Sequence, residues 1–350
     1  MRLDTFQRIL RQEQIGACVL LNNDPDVFYF AGVDVEKCVL LIPDRGKPVL
    51  VVSELEAERV RKSSRVKSVD VFRSGTERNS IIAGNLKGKG ILAINKAAIS
   101  VANMEFLQAL GKPAVFADAS KIIDGLRQIK TNEEIEIIRE ACRLTDKVMQ
   151  DCINSFDFRT ELDVKNFLES EARNLGCKPS FDTIVASGKN ASMPHYSGNG
   201  RLNKGFCVID FGIRYKGYCS DMTRTICIGK PSRAERELYS LVRQSQQKGI
   251  DAVKEGAVAE DVDSAARSAL GKHKEAFIHG LGHHIGVEVH DTDQRISPRS
   301  KWLLKENMAV TIEPGIYYKG KLGIRIEDDV LVRKGGCEEL TRTDKELVIV

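Results

Sequence analysis

Four acidic residues and a cluster of histidines fall where they could share a metal site. Asp210 stands in Cys207-Val208-Ile209-Asp210-Phe211-Gly212 and Asp221 in Cys219-Ser220-Asp221-Met222-Thr223-Arg224-Thr225-Ile226, and each stretch reads as a strand carrying one carboxylate. Arg214-Tyr215-Lys216-Gly217 between them has the composition of a hairpin turn. A turn centred between Tyr215 and Lys216 sets Asp210 directly opposite Asp221. Cβ atoms so paired lie roughly 4.5–5.5 Å apart, where bare carboxylates repel and a cation between them removes the penalty. The inference depends on register, because a one-residue slip sends the two to opposite faces. Downstream the device recurs: Met308–Glu313 and Gly323–Val332 read as strands around Tyr318-Lys319-Gly320-Lys321, and a turn centred on Gly320 sets Glu313 opposite Glu327. Two such hairpins packed side by side make a four-carboxylate cluster.

Histidine completes the set. Four of the six histidines, His279, His283, His284 and His290, fall in one twelve-residue stretch. Four carboxylates with one neutral imidazole match two divalent cations in charge. An oxygen-rich site suits Mn²⁺, and an added imidazole admits Co²⁺, Fe²⁺ or Zn²⁺. Two cations about 3.5–4 Å apart can share a hydroxide nucleophile and polarise a carbonyl. Taken singly, a strand Asp is more often an edge or turn residue, and a lone core His a satisfied hydrogen-bonding group. Taken together, burying four unpartnered acids costs several kcal/mol each, which disfavours the structural explanation.

The elements that must position these groups begin with the length. At 350 residues, 42% apolar and 29% charged, the chain has room for two globular domains. The first part alternates helix and strand as α/β domains do. Amphipathic Arg2–Gln14 leads to a strand at Ala17–Leu21 and the turn Asn22-Asn23-Asp24-Pro25. Strands follow at Cys38–Pro43 and Pro48–Ser53, a helix at Glu54–Lys62, and strands at Ser68–Phe72 and Gly90–Ile94. A boundary lies near Asp124–Lys130, which places one domain over 1–125 and another over 126–350. Thr131-Asn132-Glu133-Glu134 has capping-box form and opens a long helix whose apolar stripe includes Ile135, Ile138, Cys142, Met149 and Cys152. Helices also fit Glu161–Leu175, Arg233–Glu255 and Ala259–Leu270.

Five segments carry a family resemblance: VIDFG (208–212), YCSDMTRT (218–225), HGLGHHIGVEVHD (279–291), TIEPGIY (311–317) and GIRIEDD (323–329). In this order and spacing they resemble the pita-bread metallopeptidases, in the branch of Xaa-Pro dipeptidase (prolidase) and aminopeptidase P. Asn22–Gly32 and Leu126–Ala141 resemble the loop and junction helix of that branch's N-terminal domain, which methionine aminopeptidases generally lack. The resemblance implies an α+β fold, with a small creatinase-like N-terminal α/β domain before a pita-bread catalytic domain built from two related halves. It implies that Asp210 chelates one metal, that Asp221 and Glu327 bridge both, and that His283 and Glu313 bind the other. Glu313 is then also the general base. By the same resemblance His195 and His290 serve catalysis, while His279, Arg295 and Arg325 contact substrate or stand behind the ligands. Spacing alone leaves His283 and His284 open; the family pattern HGxGHxxGxxxH points to His283. His273 reads as an exposed residue at a Lys-rich helix end.

The resemblance implies hydrolysis of Xaa-Pro dipeptides by a metal-bridging hydroxide, with two divalent cations, Mn or Co before Zn or Fe. Aminopeptidase P activity on longer peptides is the alternative, and a non-enzymatic peptide-binding module is the reading from a different class. Retention of all five ligands argues against that module. The partners implied are a small peptide and a second copy of the chain in a homodimer. A net charge of +4 from 53 basic and 49 acidic residues gives no reason to expect nucleic acid. No apolar run approaches the ~20 residues of a membrane span, and the polar N-terminus has no signal-peptide h-region. Nine cysteines without a CxxC pair fit a reducing, cytoplasmic setting.

Overall fold

The computed structural model describes residues 2–22 and 24–350, so Asn23 of the turn read at 22–25 lies outside the described residues. The chain divides into two compact units, one ending at Leu126 and the other spanning Arg127–Val350.

The first unit is built on a six-stranded sheet. In spatial order its strands are Ser68–Phe72, Val49–Ser53, Cys38–Pro43, Ala17–Leu21, Ile91–Ile94 and Val115–Asp118. Cys38–Pro43 runs antiparallel to both neighbours and the other pairings are parallel. Val19, Val39, Val51, Leu92 and Ile94 cover one face with Ile82, Leu86 and Leu107 from flanking helices. A helix, Pro25–Ala31, starts where a turn was expected: Pro25 supplies the preset φ of a first helical residue and Asp24 caps it by accepting from the Asp26 N–H at 3.0 Å. Gly75–Leu86, Val101–Gly111 and Ser120–Gln128 are helices and Val115–Asp118 a strand, all unforeseen.

The second unit has two cores of like construction, each a helix pair over a three-stranded antiparallel sheet. In the first, Asn132–Asn154 and Glu161–Asn174 pack on Ile184–Ser187, Gly205–Phe211 and Met222–Ile228. In the second, Arg233–Ala252 and Ala259–Ala269 pack on Ala309–Ile312, Asp328–Arg333 and Gly336–Glu339. The capping box opening Asn132–Asn154 is present, with Thr131 and Glu134 bonding each other's backbone N–H groups.

A buried ion cluster ties the start of this unit to the loop after His283. Asp291 accepts from Arg127 at 2.7 Å and from Lys130 at 3.1 Å, and all three side chains are at least 95% buried. Burial alone would push the Asp291 carboxyl up, but Lys130 and Arg127 outweigh it and hold the carboxyl well below the usual range. Removing one partner of such a cluster leaves buried cations uncompensated. Asp291→Asn is therefore expected to cost about 3–5 kcal/mol of stability, read as a lower Tm by calorimetry. A depressed carboxyl contributes its stability above its unfolded pKa of about 3.9, so the difference between variant and parent should shrink as pH falls below that value. An unchanged Tm at pH 7 would show that the cluster contributes nothing.

Candidate active site

The two hairpins do lie side by side, although the first register differs from expectation. Asp210 pairs with Thr223, and Asp221 lies in the gap between the strands Tyr218–Cys219 and Met222–Ile228. The turn is centred one residue later than read, on Lys216 and Gly217, both at positive φ. That moves the register by two residues, so the faces are preserved. The second hairpin keeps the expected register, with Ile312 opposite Asp328 and Gly315 opposite Arg325. Its ladder is interrupted at Glu313-Pro314 and at Ile326-Glu327. Three of the four acids thus stand at breaks in pairing, where the backbone can aim a side chain out of the sheet.

Neighbouring strands lock these breaks. Asp221 N–H donates to Asp329 Oδ2 at 2.8 Å, Thr223 Oγ1 donates to Glu327 Oε2 at 2.6 Å, and Thr225 Oγ1 donates to the Arg325 carbonyl at 2.7 Å. Arg224, also buried, donates to the Glu327 carbonyl and to Asp328 Oδ1, each at 2.6 Å. On the other side, Glu313 N–H donates to the Leu281 carbonyl at 2.8 Å and His283 N–H to Thr311 Oγ1 at 3.1 Å. Gly282 is required there, because a Cβ would lie 1.9 Å from the Thr311 carbonyl oxygen.

The result is a cavity of about 480 Å³ lined by Asp210, Asp221, His283, Glu313 and Glu327 together. Asp221, His283 and Glu327 each bring a ligand atom within 4.8 Å of the others'. His283 Nε2 lies 3.6 Å from Asp221 Oδ2 and 3.7 Å from Glu313 Oε1. Burial first, and then the neighbouring acids, push the carboxyls of Asp221 and Glu313 well up, and the same causes bring Glu327 to about 8. Burial, then His290, lowers His283 to about 3, so its ring is neutral. Its Nδ1 lies 3.1 Å from the His284 carbonyl, where an N–H donor fits, leaving the Nε2 lone pair toward the acids. Oδ1 of both Asp210 and Asp221 is buried without a hydrogen-bond partner. Crowded acids, orphaned oxygens and an oriented neutral imidazole fit divalent cations and little else.

The other expected residues line the same cavity: His195, His279, His290, Arg295 and Arg325. Arg325 Nη2 donates to Asp210 Oδ2 at 2.6 Å and its Nη1 to the Tyr317 hydroxyl at 2.9 Å. That hydroxyl is 3.0 Å from His279 Nε2, and burial lowers His279 to about 3. His290 packs edge-on to His283, with centroids 4.3 Å apart. Arg295 pairs with His283 across a two-residue ladder, and its Nη1 donates to the Thr292 carbonyl at 2.8 Å. His284 is buried against Trp302, away from the cavity. His273 departs from expectation: it is partly buried in the 3-10 turn Gly271–Ala276, bonded to the Tyr318 hydroxyl. Thr223, Arg224, Tyr317, Asp328 and Asp329 went unnoticed as supports; polar residues alternating inside an apolar strand, as in Asp221, Thr223 and Thr225, were the available signal.

Residues 136–334 match metallopeptidase family M24, and residues 2–129 match the creatinase/prolidase N-terminal domain. The chain belongs to metallopeptidase family M24. It is 35% identical over 353 residues to the Xaa-Pro dipeptidase of Pyrococcus furiosus, covering 99% of each chain. The prolidase structure from Pyrococcus horikoshii superposes with a TM-score of 0.92 at 33% identity, covering 99% of both chains. The X-Pro aminopeptidase structure from Thermotoga maritima does so with a TM-score of 0.90 at 29% identity, covering 99% of this chain and all of that one. As an M24 protein this chain is a metallopeptidase with the α+β architecture expected, a creatinase-type N-terminal domain before a pita-bread catalytic domain. Among the described residues no helix is long and apolar enough to cross a membrane.

Proposed function

We propose that this M24 metallopeptidase hydrolyses Xaa-Pro dipeptides, with two divalent cations held by Asp210, Asp221, His283, Glu313 and Glu327. The observation that carries this reading is the convergence of these five groups on one cavity that also exposes a guanidinium. Bound there, the cations, of which Mn²⁺ or Co²⁺ suit the donor set best, would supply a nucleophile from water at neutral pH and would polarise the scissile carbonyl. Glu313, with Oε1 3.7 Å from His283 Nε2 at the edge of the cluster, takes the proton of the attacking water and returns it to the departing proline nitrogen. His195 donates to the carbonyl oxygen as that oxygen gains charge and the carbon becomes tetrahedral. His279, kept neutral and bonded to Tyr317, borders Glu313, with Nδ1 3.8 Å from Oε2. Arg325 holds Asp210 in place. Homodimer formation and a cytoplasmic location belong to the same proposal; the free thiols of all nine cysteines favour a reducing compartment.

Arg295 separates dipeptidase from aminopeptidase P. A dipeptide presents a carboxylate one residue beyond the scissile bond, whereas a longer peptide presents a neutral amide there. A guanidinium on the cavity wall suits the carboxylate, with paired donors and a permanent charge. Arg295→Ala is expected to lose about 1.5–3 kcal/mol of binding, seen as a raised KM for Xaa-Pro and little change for the amidated substrate. Equal losses on both, or efficient cleavage of long Xaa-Pro peptides by the parent, would favour aminopeptidase P. The likeness to the Thermotoga maritima X-Pro aminopeptidase keeps that second reading in play.

A further inference from the structure

Glu161 is a buried carboxylate in the first turn of the helix Glu161–Asn174, outside the ligand cluster and with both oxygens fully engaged. Oε1 accepts from the Ser187 N–H and the Ser187 hydroxyl, each at 2.8 Å, and from Asn190 Nδ2 at 3.0 Å. Oε2 accepts from the Tyr196 hydroxyl at 2.9 Å and the Gly200 N–H at 3.0 Å. These donors bracket His195 in sequence. His195 itself is exposed at the cavity, in a stretch, 193–200, with neither helix nor strand.

We propose that Glu161 is a positioning residue: it fixes the 187–200 loop so that His195 is presented to the substrate carbonyl. The inference rests on the hydrolytic reading of the site given above. Ordering a loop of this kind costs conformational entropy at each residue. Bonds to an ionised acceptor are roughly twice as strong as neutral ones, and five donors converging on one group demand a side chain that only accepts. Asn190 Nδ2 also reaches the Tyr196 hydroxyl, at 3.0 Å, so the residue next to His195 is held from two sides. Further ties reach neighbouring parts of the loop: the Pro194 carbonyl accepts from Arg325 at 3.5 Å and Ser192 Oγ from the Gly320 N–H at 3.0 Å. Glu161 supplies the hold on Tyr196 and links it to Ser187 and Gly200. No spacing rule connects residue 161 to residues 187–200, so the role is visible in three dimensions alone.

Glu161→Gln is the test, because it keeps the shape while turning an NH₂ group toward at least one backbone N–H in either orientation. In the metal-loaded enzyme, metal content should stay at the parent's value and kcat on an Xaa-Pro dipeptide should fall by about 10–10²-fold with little change in KM. In a His195→Ala background the same substitution should cost less than about twofold more, because both act through one group. Trypsin should cut faster at Lys189, Arg201 or Lys204, which are exposed along the loop. Unchanged kcat, a full multiplicative loss in the His195→Ala background, or unchanged trypsin cleavage would each overturn the proposal. A parent protein without Xaa-Pro turnover would overturn the substrate reading instead, and loop cleavage would still decide whether Glu161 holds the loop. Should Glu161→Gln not fold, Tyr196→Phe removes one of the bonds and keeps the ring; a smaller kcat loss and faster loop cleavage are expected, and parent behaviour in both would refute the role.

Discussion

Replacing Asp221 by alanine is expected to abolish turnover, with a loss larger than the 10²–10⁴-fold typical of removing a general base. Asp221 lies at the centre of the cluster, within 4.8 Å of the ligand atoms of His283 and Glu327. Its carboxyl is buried beside Glu327, Asp210, Asp329 and Glu313, so acids so crowded hold their charge only with cations between them. Removing the central one weakens both cation positions at once. Glu327→Ala should behave alike. A chelator should mimic either substitution in the parent, and Mn²⁺ or Co²⁺ should restore the chelated parent but not the variants. The check is kcat on an Xaa-Pro dipeptide measured beside bound-metal content. An Asp221→Ala protein that keeps its metal and its rate would remove Asp221 from the site.

The second large effect is that of Glu313→Gln. Glutamine keeps the shape and one acceptor oxygen but cannot take a proton at working pH. Turnover should fall by about 10²–10⁴-fold. Glu313 is proposed to serve also as a ligand, so metal content must be measured on the same sample. With full occupancy the loss should appear in kcat more than in KM, because proton transfer belongs to the transition state. A near-parent kcat with full metal occupancy would assign the base elsewhere.

Much of the site was legible because its acids sit on hairpins, whose pairing follows from local turns. The second register came out as read: Lys319-Gly320 makes a turn with Gly320 at positive φ, and Glu313 and Glu327 face each other across the gap in the ladder. The first register was misplaced by two residues because the turn forms on Lys216-Gly217, yet side chains alternate with period two, so the face of Asp210 was unaffected. Spacing left His283 and His284 open and the family pattern pointed to His283; the physical reason lies in the fold. Both rings are buried, and only the pairing with Thr311 and Arg295 turns one of them to the acids. The helices Gly75–Leu86 and Val101–Gly111 escaped notice because they bury few residues, Ile82 with Leu86 in one and Leu107 in the other, and so carry no clear apolar stripe. Arg224 and Glu161 were illegible for another reason: their partners lie about a hundred and about thirty residues away in sequence, and ordinary polar residues carry no mark of such distant bonds.

That five side chains hold two cations in one cavity can be tested by equilibrium dialysis of the metal-stripped protein against Mn²⁺, with elemental analysis of bound metal per chain, run beside Asp210→Ala and Asp221→Ala. Two ions per chain are expected in the parent, a partial loss with Asp210→Ala, and loss of both sites with Asp221→Ala. Parent-level binding by both variants, or a parent that binds no Mn²⁺, Co²⁺, Zn²⁺ or Fe²⁺ yet hydrolyses Xaa-Pro dipeptides, would contradict it.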